Sequence, residues 1–144
     1  MLYKQFYSEL GKLLYAVADV DGMISAKEKK VLHELVRNEL VKTEKNTDEF
    51  GTDAAWYTEF EFDIMDELNI DPEIAFESFL NFIEDHSSAI NVNMLLASKK
   101  VASELAEVYF HTSKKEKYLL QKLNKKIDFL LEEKLKHFFK QNPS

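Results

Sequence analysis

The sequence predicts an all-α fold: a bundle of six to seven helices in one domain spanning residues 1–144, with two pseudo-symmetric helix–turn–helix joints around long antiparallel helices. Three observations predict it. Apolar residues recur at three- and four-residue spacing along almost the whole chain, the period that places them on one face of an α-helix. Only 3 glycines and 2 prolines interrupt the 144 residues, so little opposes long helices. A hydrophobic content of 45%, with 11 Phe and 6 Tyr, supplies enough apolar surface for those helices to cover one another.

The elements follow in order. Phe6, Leu10, Leu13, Leu14 and Val17 form the apolar stripe of a first helix over residues 2–20. Val31, Leu32, Leu35, Val36 and Leu40 mark a second over 26–42. Residues 43–51 are polar and without period, which predicts a loop. A third helix is expected over 53–69 with Tyr57, Phe60, Ile64 and Leu68 inward. Its EFEFDI stretch alternates as a half-buried strand would, but Ala54, Ala55, Met65 and Leu68 around it favour helix, and no second strand exists to pair with it. A fourth helix starts after Asp71, a natural N-cap, with Pro72 at the first position, where a missing N–H costs nothing. Ala75, Phe76, Phe79, Leu80 and Ile83 are its buried side. A fifth runs over 91–110 on Leu95, Ala102, Leu105 and Tyr109. The last covers 114–141, with Leu119, Leu120, Leu123, Ile127, Leu130, Leu131, Leu135 and Phe138 inward and lysines opposite.

Charge narrows the function classes. The net charge is −7, but between Lys45 and Lys99 there is no Lys or Arg, only thirteen acids, and from Ser113 onward nine lysines face four acids. Such a body and tail either neutralise one another within the fold or leave a negative face for a cation or a basic partner. The acidic field repels phosphates, which argues against nucleic acid. There is no Cys, so disulfides and thiol catalysis are excluded and a reducing compartment is expected. The first twelve residues are amphipathic without a continuous apolar run, so neither a signal peptide nor membrane insertion is expected. A cytoplasmic monomer or weak homodimer fits these features.

Two segments echo each other 88 residues apart. SAKEKKVLHEL at 25–35 aligns with SKKEKYLLQKL at 113–123, and both begin with Ser-x-x-Glu. That is a capping box, in which Ser25 or Ser113 accepts from the third helical N–H while Glu28 or Glu116 reaches back. Each contributes about 1 kcal/mol to a helix start. In a pseudo-twofold arrangement, helices one, two, five and six form the centre.

The first joint, DVDGMISAKE at 19–28, resembles the back half of a calcium loop. With Gly22 at the sixth position of an EF-hand, Asp19, Asp21, Ser25 and Glu28 fall at the third, fifth, ninth and twelfth. The first position is then Val17, which offers no oxygen and lies in the stripe of the first helix, so a calcium-sensing EF-hand is not expected. As a turn the stretch is complete: Gly22 ends one helix and Ser25 starts the next. Asp19 opposes the helix dipole at a C-terminus. Asp19, Asp21 and Glu28 are therefore also a candidate set for a divalent cation, completed by acids of another helix.

Residues 13–32, LLYAVADVDGMISAKEKKVL, resemble the first joint of the TerB-like family, the domain named for tellurite-resistance proteins, and also the N-terminal domain of certain DnaJ-type co-chaperones. The family pattern is a helix ending in Ala-x-x-Asp-Gly, then a hydrophobic residue, a capping residue and Glu. Ala18, Asp21, Gly22, Ile24, Ser25 and Glu28 occupy those places. ASELAEVYFHTSKKEKYLLQKL at 102–123 stands where the family has its second joint, so the resemblance covers both ends of the chain. It implies an all-helical, non-enzymatic domain in stress-response settings that acts through protein partners, with acids proposed to bind metal ions. This chain departs at the second joint, where His111 and Thr112 replace the expected Asp-Gly, which puts half of any such cation site in doubt.

Other chemistry finds little support. His33, His86, His111 and His137 are scattered without metal-ligand spacing, the glycines are isolated, and no nucleophile sits beside a base. The remaining cluster is Trp56, Tyr57 and Phe60 beside Glu59 and Glu61, which either packs in the core or anchors a protein partner through rigid rings. The expected function is binding of a protein partner through that acidic and aromatic surface, with divalent-cation binding as the alternative and no catalytic role.

Overall fold

The computed structural model describes the backbone of residues 2–20, 24, 26–43, 48–108 and 114–141, and their side chains except at 28, 41–43, 48–53 and 108. Six helices are present among the described residues: α1 (Leu2–Asp19), α2 (Ala26–Thr43), α3 (Asp48–Glu67), α4 (Pro72–Asp85), α5 (Val92–Val108) and α6 (Lys114–Gln141). No strand occurs among them, and the EFEFDI stretch lies inside α3.

The bundle is organised around α1. This helix packs most extensively on α3 and α4, also on α5, and at a few places on α6. Every residue from Leu13 to Ala18 is buried, so the helix is enclosed on all sides rather than along one stripe. The apolar core is one cluster drawing on all six helices, from Phe6 and Leu10 through Leu32, Phe62 and Phe79 to Leu105, Leu123 and Ile127. Full burial of each Leu or Phe contributes roughly 1.5–3 kcal/mol.

α2 packs on α3 and α5, and α6 lies along α5. This corrects the expected centre of helices one, two, five and six: α1 alone is central, and α3 and α4 are its main neighbours. A twofold exchanging the α1–α2 pair with the α5–α6 pair is not reproduced either, since α5 packs directly on α6 whereas α1 and α2 make no comparable contact among the described residues. Asp21, Gly22, Ser25, Tyr109, His111, Thr112 and Ser113, on which the two joints and their caps were read, lie outside the described residues.

Local chemistry sets the other ends. Asp71 caps α4, its Oδ1 accepting from the Glu73 N–H at 2.9 Å, with Pro72 next in the chain. α3 stops because Asn69 turns left-handed, at φ 53°. The Ile70 N–H then reaches Met65 O and the Asn69 N–H reaches Asp66 O, each at 3.1 Å, which closes the last carbonyls in a Schellman pattern. Asn91 starts α5 by accepting from the Met94 N–H at 2.8 Å.

Three expectations need correction. α3 begins at Asp48, inside the segment 43–51 expected as a loop. Its inward face is Ala54, Ala55, Thr58, Glu59, Phe62 and Met65, while Phe60 and Leu68, expected inward, are exposed. On α6, Leu119, Leu123, Ile127 and Leu130 are buried as expected, but Leu135 and Phe138 are exposed. At 1.5 Å per residue the 28 residues of α6 extend about 42 Å against about 26 Å for the 17 residues of α5, so the last turns outrun the helices that cover the rest.

Candidate functional site

The α3 face that meets α1 is built for close approach. A Cβ on Gly11 would overlap the Thr58 carbonyl oxygen and stand only 3.0 Å from Glu61 Cβ and 3.1 Å from Phe62 N, so glycine is what lets the two backbones meet. Thr58 reinforces the crossing: its Oγ1 lies 2.9 Å from both Tyr7 O on α1 and Ala54 O on α3. With its backbone held there, α3 cannot rotate to bring its outer side chains in.

Those outer side chains are large. Trp56 and Phe60 are 55% and 50% exposed, and their rings stack at 5.0 Å with an interplanar angle of 10°. Asp63 and Glu67 continue the same helical face by one and two turns; Asp63 is half-exposed, with His33 Nε2 at 3.7 Å, and Glu67 is exposed. Tyr57 turns toward α1, half-buried, with Lys4 Nζ 5.6 Å from its ring centroid. Glu61 is half-buried beside it, in a shallow groove shared with Lys4, Ser8 and Lys12.

Glu59, grouped with these residues in the sequence, faces a different neighbour. It is 7% exposed and turned to α2, where Arg37 Nε and Nη2 donate to its two oxygens at 2.9 and 3.3 Å and His33 Nδ1 lies at 3.1 Å. It joins α2 to α3, and its carboxylate holds the Arg37 guanidinium further up. The five candidate partner residues therefore divide: Trp56 and Phe60 outward, Tyr57 and Glu61 toward α1, Glu59 toward α2.

Of the candidate cation ligands, Asp19 is described, whereas Asp21 and the Glu28 side chain lie outside the described residues. Asp19 is engaged by its own helix. Tyr15 Oη lies 3.0 Å from Asp19 Oδ2 and 2.6 Å from Ile70 O, so one phenolic proton faces two acceptors and ties the end of α1 to the α3–α4 turn. Burial pushes the Asp19 carboxyl upward, the bond from Tyr15 works against this, and Asp66 adds to the rise. Burial and the adjacent Asp19 drive the Tyr15 phenol upward as well. Asp66 itself is paired, with Lys29 Nζ at 2.6 Å, an interaction that raises the lysine. Among the described residues no group of three or more His, Asp or Glu side chains is arranged to hold a metal ion.

The lysine-free acidic segment is partly answered from elsewhere in the chain. Lys122 meets Glu77 at 2.6 Å and Lys126 meets Glu84 at 2.9 Å, tying α6 to α4. Lys134 donates to Ser87 O at 2.6 Å, and burial lowers its ammonium. Beyond that anchor, an open cleft of about 630 Å³ lies between the end of α6 and the α4–α5 turn, with Lys134, His137 and Phe138 on its α6 side. Among the described residues no helix is long and apolar enough to cross a membrane. No protein-family model, curated protein or solved structure matches the chain.

Proposed function

We propose that this chain is a non-enzymatic helical interaction domain of the TerB type, acting in a stress-response setting, that holds a protein partner on the outer acidic and aromatic face of α3. One observation carries the reading: Trp56 and Phe60 are stacked and half-exposed on a helix whose inner face is closed by Gly11 and Thr58. Large rings kept outside cost solvation and are the residue types that dominate protein interfaces. Asp63 and Glu67 beside them favour a partner with lysines or arginines at its rim.

The test is affinity capture from the native host with the wild-type chain, the Trp56→Ala/Phe60→Ala double variant, and Ile74→Ala, which changes an exposed residue on α4. A genuine partner is lost about 10-fold or more with the double variant, the size of a hot-spot deletion, and is retained by Ile74→Ala. Equal capture by all three sinks the reading. The alternative, a divalent cation held by Asp19, Asp21 and Glu28, is tested by calorimetric titration with calcium, magnesium and zinc. Heat and a raised Tm at millimolar ion support it, and their absence removes it.

A further inference from the structure

We propose that the last turns of α6 dock on the outer face of α3 in a second copy of this chain, Leu135 and Phe139 covering the Trp56–Phe60 stack while Lys136 and Lys140 meet Asp63 and Glu67. The inference rests on the reading of α3 as a binding face and supplies its partner.

The two surfaces match in kind and spacing. On α3, an apolar pair four residues apart, Trp56 and Phe60, is followed by an acidic pair four apart, Asp63 and Glu67. On α6, an apolar pair four apart, Leu135 and Phe139, is flanked by a basic pair four apart, Lys136 and Lys140. In a helix each such pair stands about 6 Å apart; on α3 the two pairs follow one another along a single stripe, on α6 they lie side by side, so a steep crossing of the two helices sets ring against ring and turns the lysines toward the acids. Leu135 and Phe139 are 57% and 60% exposed, as open as their counterparts on α3. The segment Lys134–Lys140 holds three lysines and no acid. Among the described residues the ion-pair partner of Lys136 is a distant one in its own helix, Glu133 at 3.8 Å, with the lysine side chain 74% exposed.

The fold directs this contact between molecules. Among the described residues α3 and α6 make no substantial contact, so the tail of a chain lies away from its own stack. Both surfaces are rigid helices already formed, so docking orders no segment and loses little entropy beyond association itself. A contact of two helix faces is small, which places it among weak, rapidly exchanging associations, and its ion pairs make it sensitive to salt.

Trp56 is the only tryptophan and sits at the proposed contact, so its fluorescence reports docking directly. One copy carries Leu135→Asp/Phe139→Asp, which disables the tail and leaves Trp56 in place. The other carries Trp56→Phe, which is silent in tryptophan emission and keeps its tail. Circular dichroism on each confirms that substitutions at exposed positions leave the helices intact. Emission of the tail-disabled copy shifts to shorter wavelength when the silent copy is added in excess, and stays constant when it is concentrated alone. The shift weakens several-fold in about 0.5 M salt or with Lys136→Glu/Lys140→Glu on the silent copy. It returns when Asp63→Lys/Glu67→Lys on the tryptophan copy faces that reversed tail.

Emission that does not move up to about millimolar silent copy overturns the proposal, as does a wild-type chain that sediments as a monomer over the same range. Wild-type self-association that survives disabling the tail overturns it equally. An unrelated lysine-rich amphipathic peptide that shifts Trp56 when the silent copy does not also overturns self-docking, but leaves the α3 binding face standing. Capture that ignores Trp56 and Phe60 removes the binding face itself.

Discussion

α3 and α4 are consecutive helices of similar aromatic content, and they use it in opposite ways. In α4 every large residue at core spacing goes inward: Phe76, Phe79, Leu80 and Ile83 are buried. In α3 the inward positions hold Ala54, Ala55 and Thr58 where α1 comes close, with Phe62 behind, while Trp56 and Phe60 stand outside. The difference traces to distance. α1 meets α3 backbone to backbone at Gly11, which leaves no room for a ring at that crossing; further along, Phe62 meets Tyr15 with ring centroids 6.0 Å apart, much as Phe6 on α1 faces Phe79 on α4 at 6.2 Å. With small residues and Phe62 filling the inward face, the rings of Trp56 and Phe60 stand outside, and there they are available for contact.

Four substitutions break or sharpen this contrast. The largest effect belongs to Phe62→Ala, which opens a cavity in the core and costs about 3–5 kcal/mol in denaturant unfolding. Phe60→Ala, two positions away, changes stability by no more than about 0.5 kcal/mol because its ring is half in water. Equal costs at the two sites would mean that the outer ring is packed after all. Gly11→Ala drives a methyl into the Thr58 carbonyl and pushes α1 from α3, at roughly 1–3 kcal/mol, with Tm falling accordingly. A neutral result would show that the crossing relaxes freely. Thr58→Val removes the hydroxyl that reaches Tyr7 O and costs about 1 kcal/mol.

The smallest effect concerns the end of α1. Because burial raises the folded-state pKa of Asp19 above its unfolded value, the native state keeps a proton across that interval, and ionisation at higher pH costs stability. Asp19→Asn removes the cost, and its amide can donate to Tyr15 Oη while the phenol donates to Ile70 O. The variant should melt above wild type at pH 7 by a fraction of a kcal/mol, the scale of a partly exposed charge, with the gap closing as the pH falls to the unfolded carboxylate value. A gap that is constant with pH would assign the gain to hydrogen bonding instead.

How much was legible in the sequence depended on where the deciding group lay. α4 was fully legible because Asp71 and Pro72 mark its start and its apolar spacing meets rings across the interface. The inward face of α3 was not, because the group that chooses it, Gly11, lies on another helix and leaves no trace in the local period. The helical spacing of Tyr57, Phe60, Ile64 and Leu68 alone therefore points Phe60 inward. The end of α3 was missed because Asn69 is an ordinary residue until its backbone turns left-handed. On α6, Leu135 and Phe138 keep the period of the buried residues before them. A period identifies a face, but it carries no information on whether a neighbour reaches that far. Among the candidate residues, the outward pair Trp56 and Phe60 was legible as a cluster. The inward turn of Glu59 was not, since it needs Arg37 and His33 of α2 opposite.

The enclosure of α1 has a consequence for how the chain is made. This helix is made before the surfaces that wrap it, which come from α3, α4, α5 and α6, all later in the chain. Until then its leucines and aromatic rings have nothing of their own to rest against, and the unfinished polypeptide is at its stickiest. A nascent chain that stalls before residue 114 should depend on holdase chaperones far more than the finished protein does.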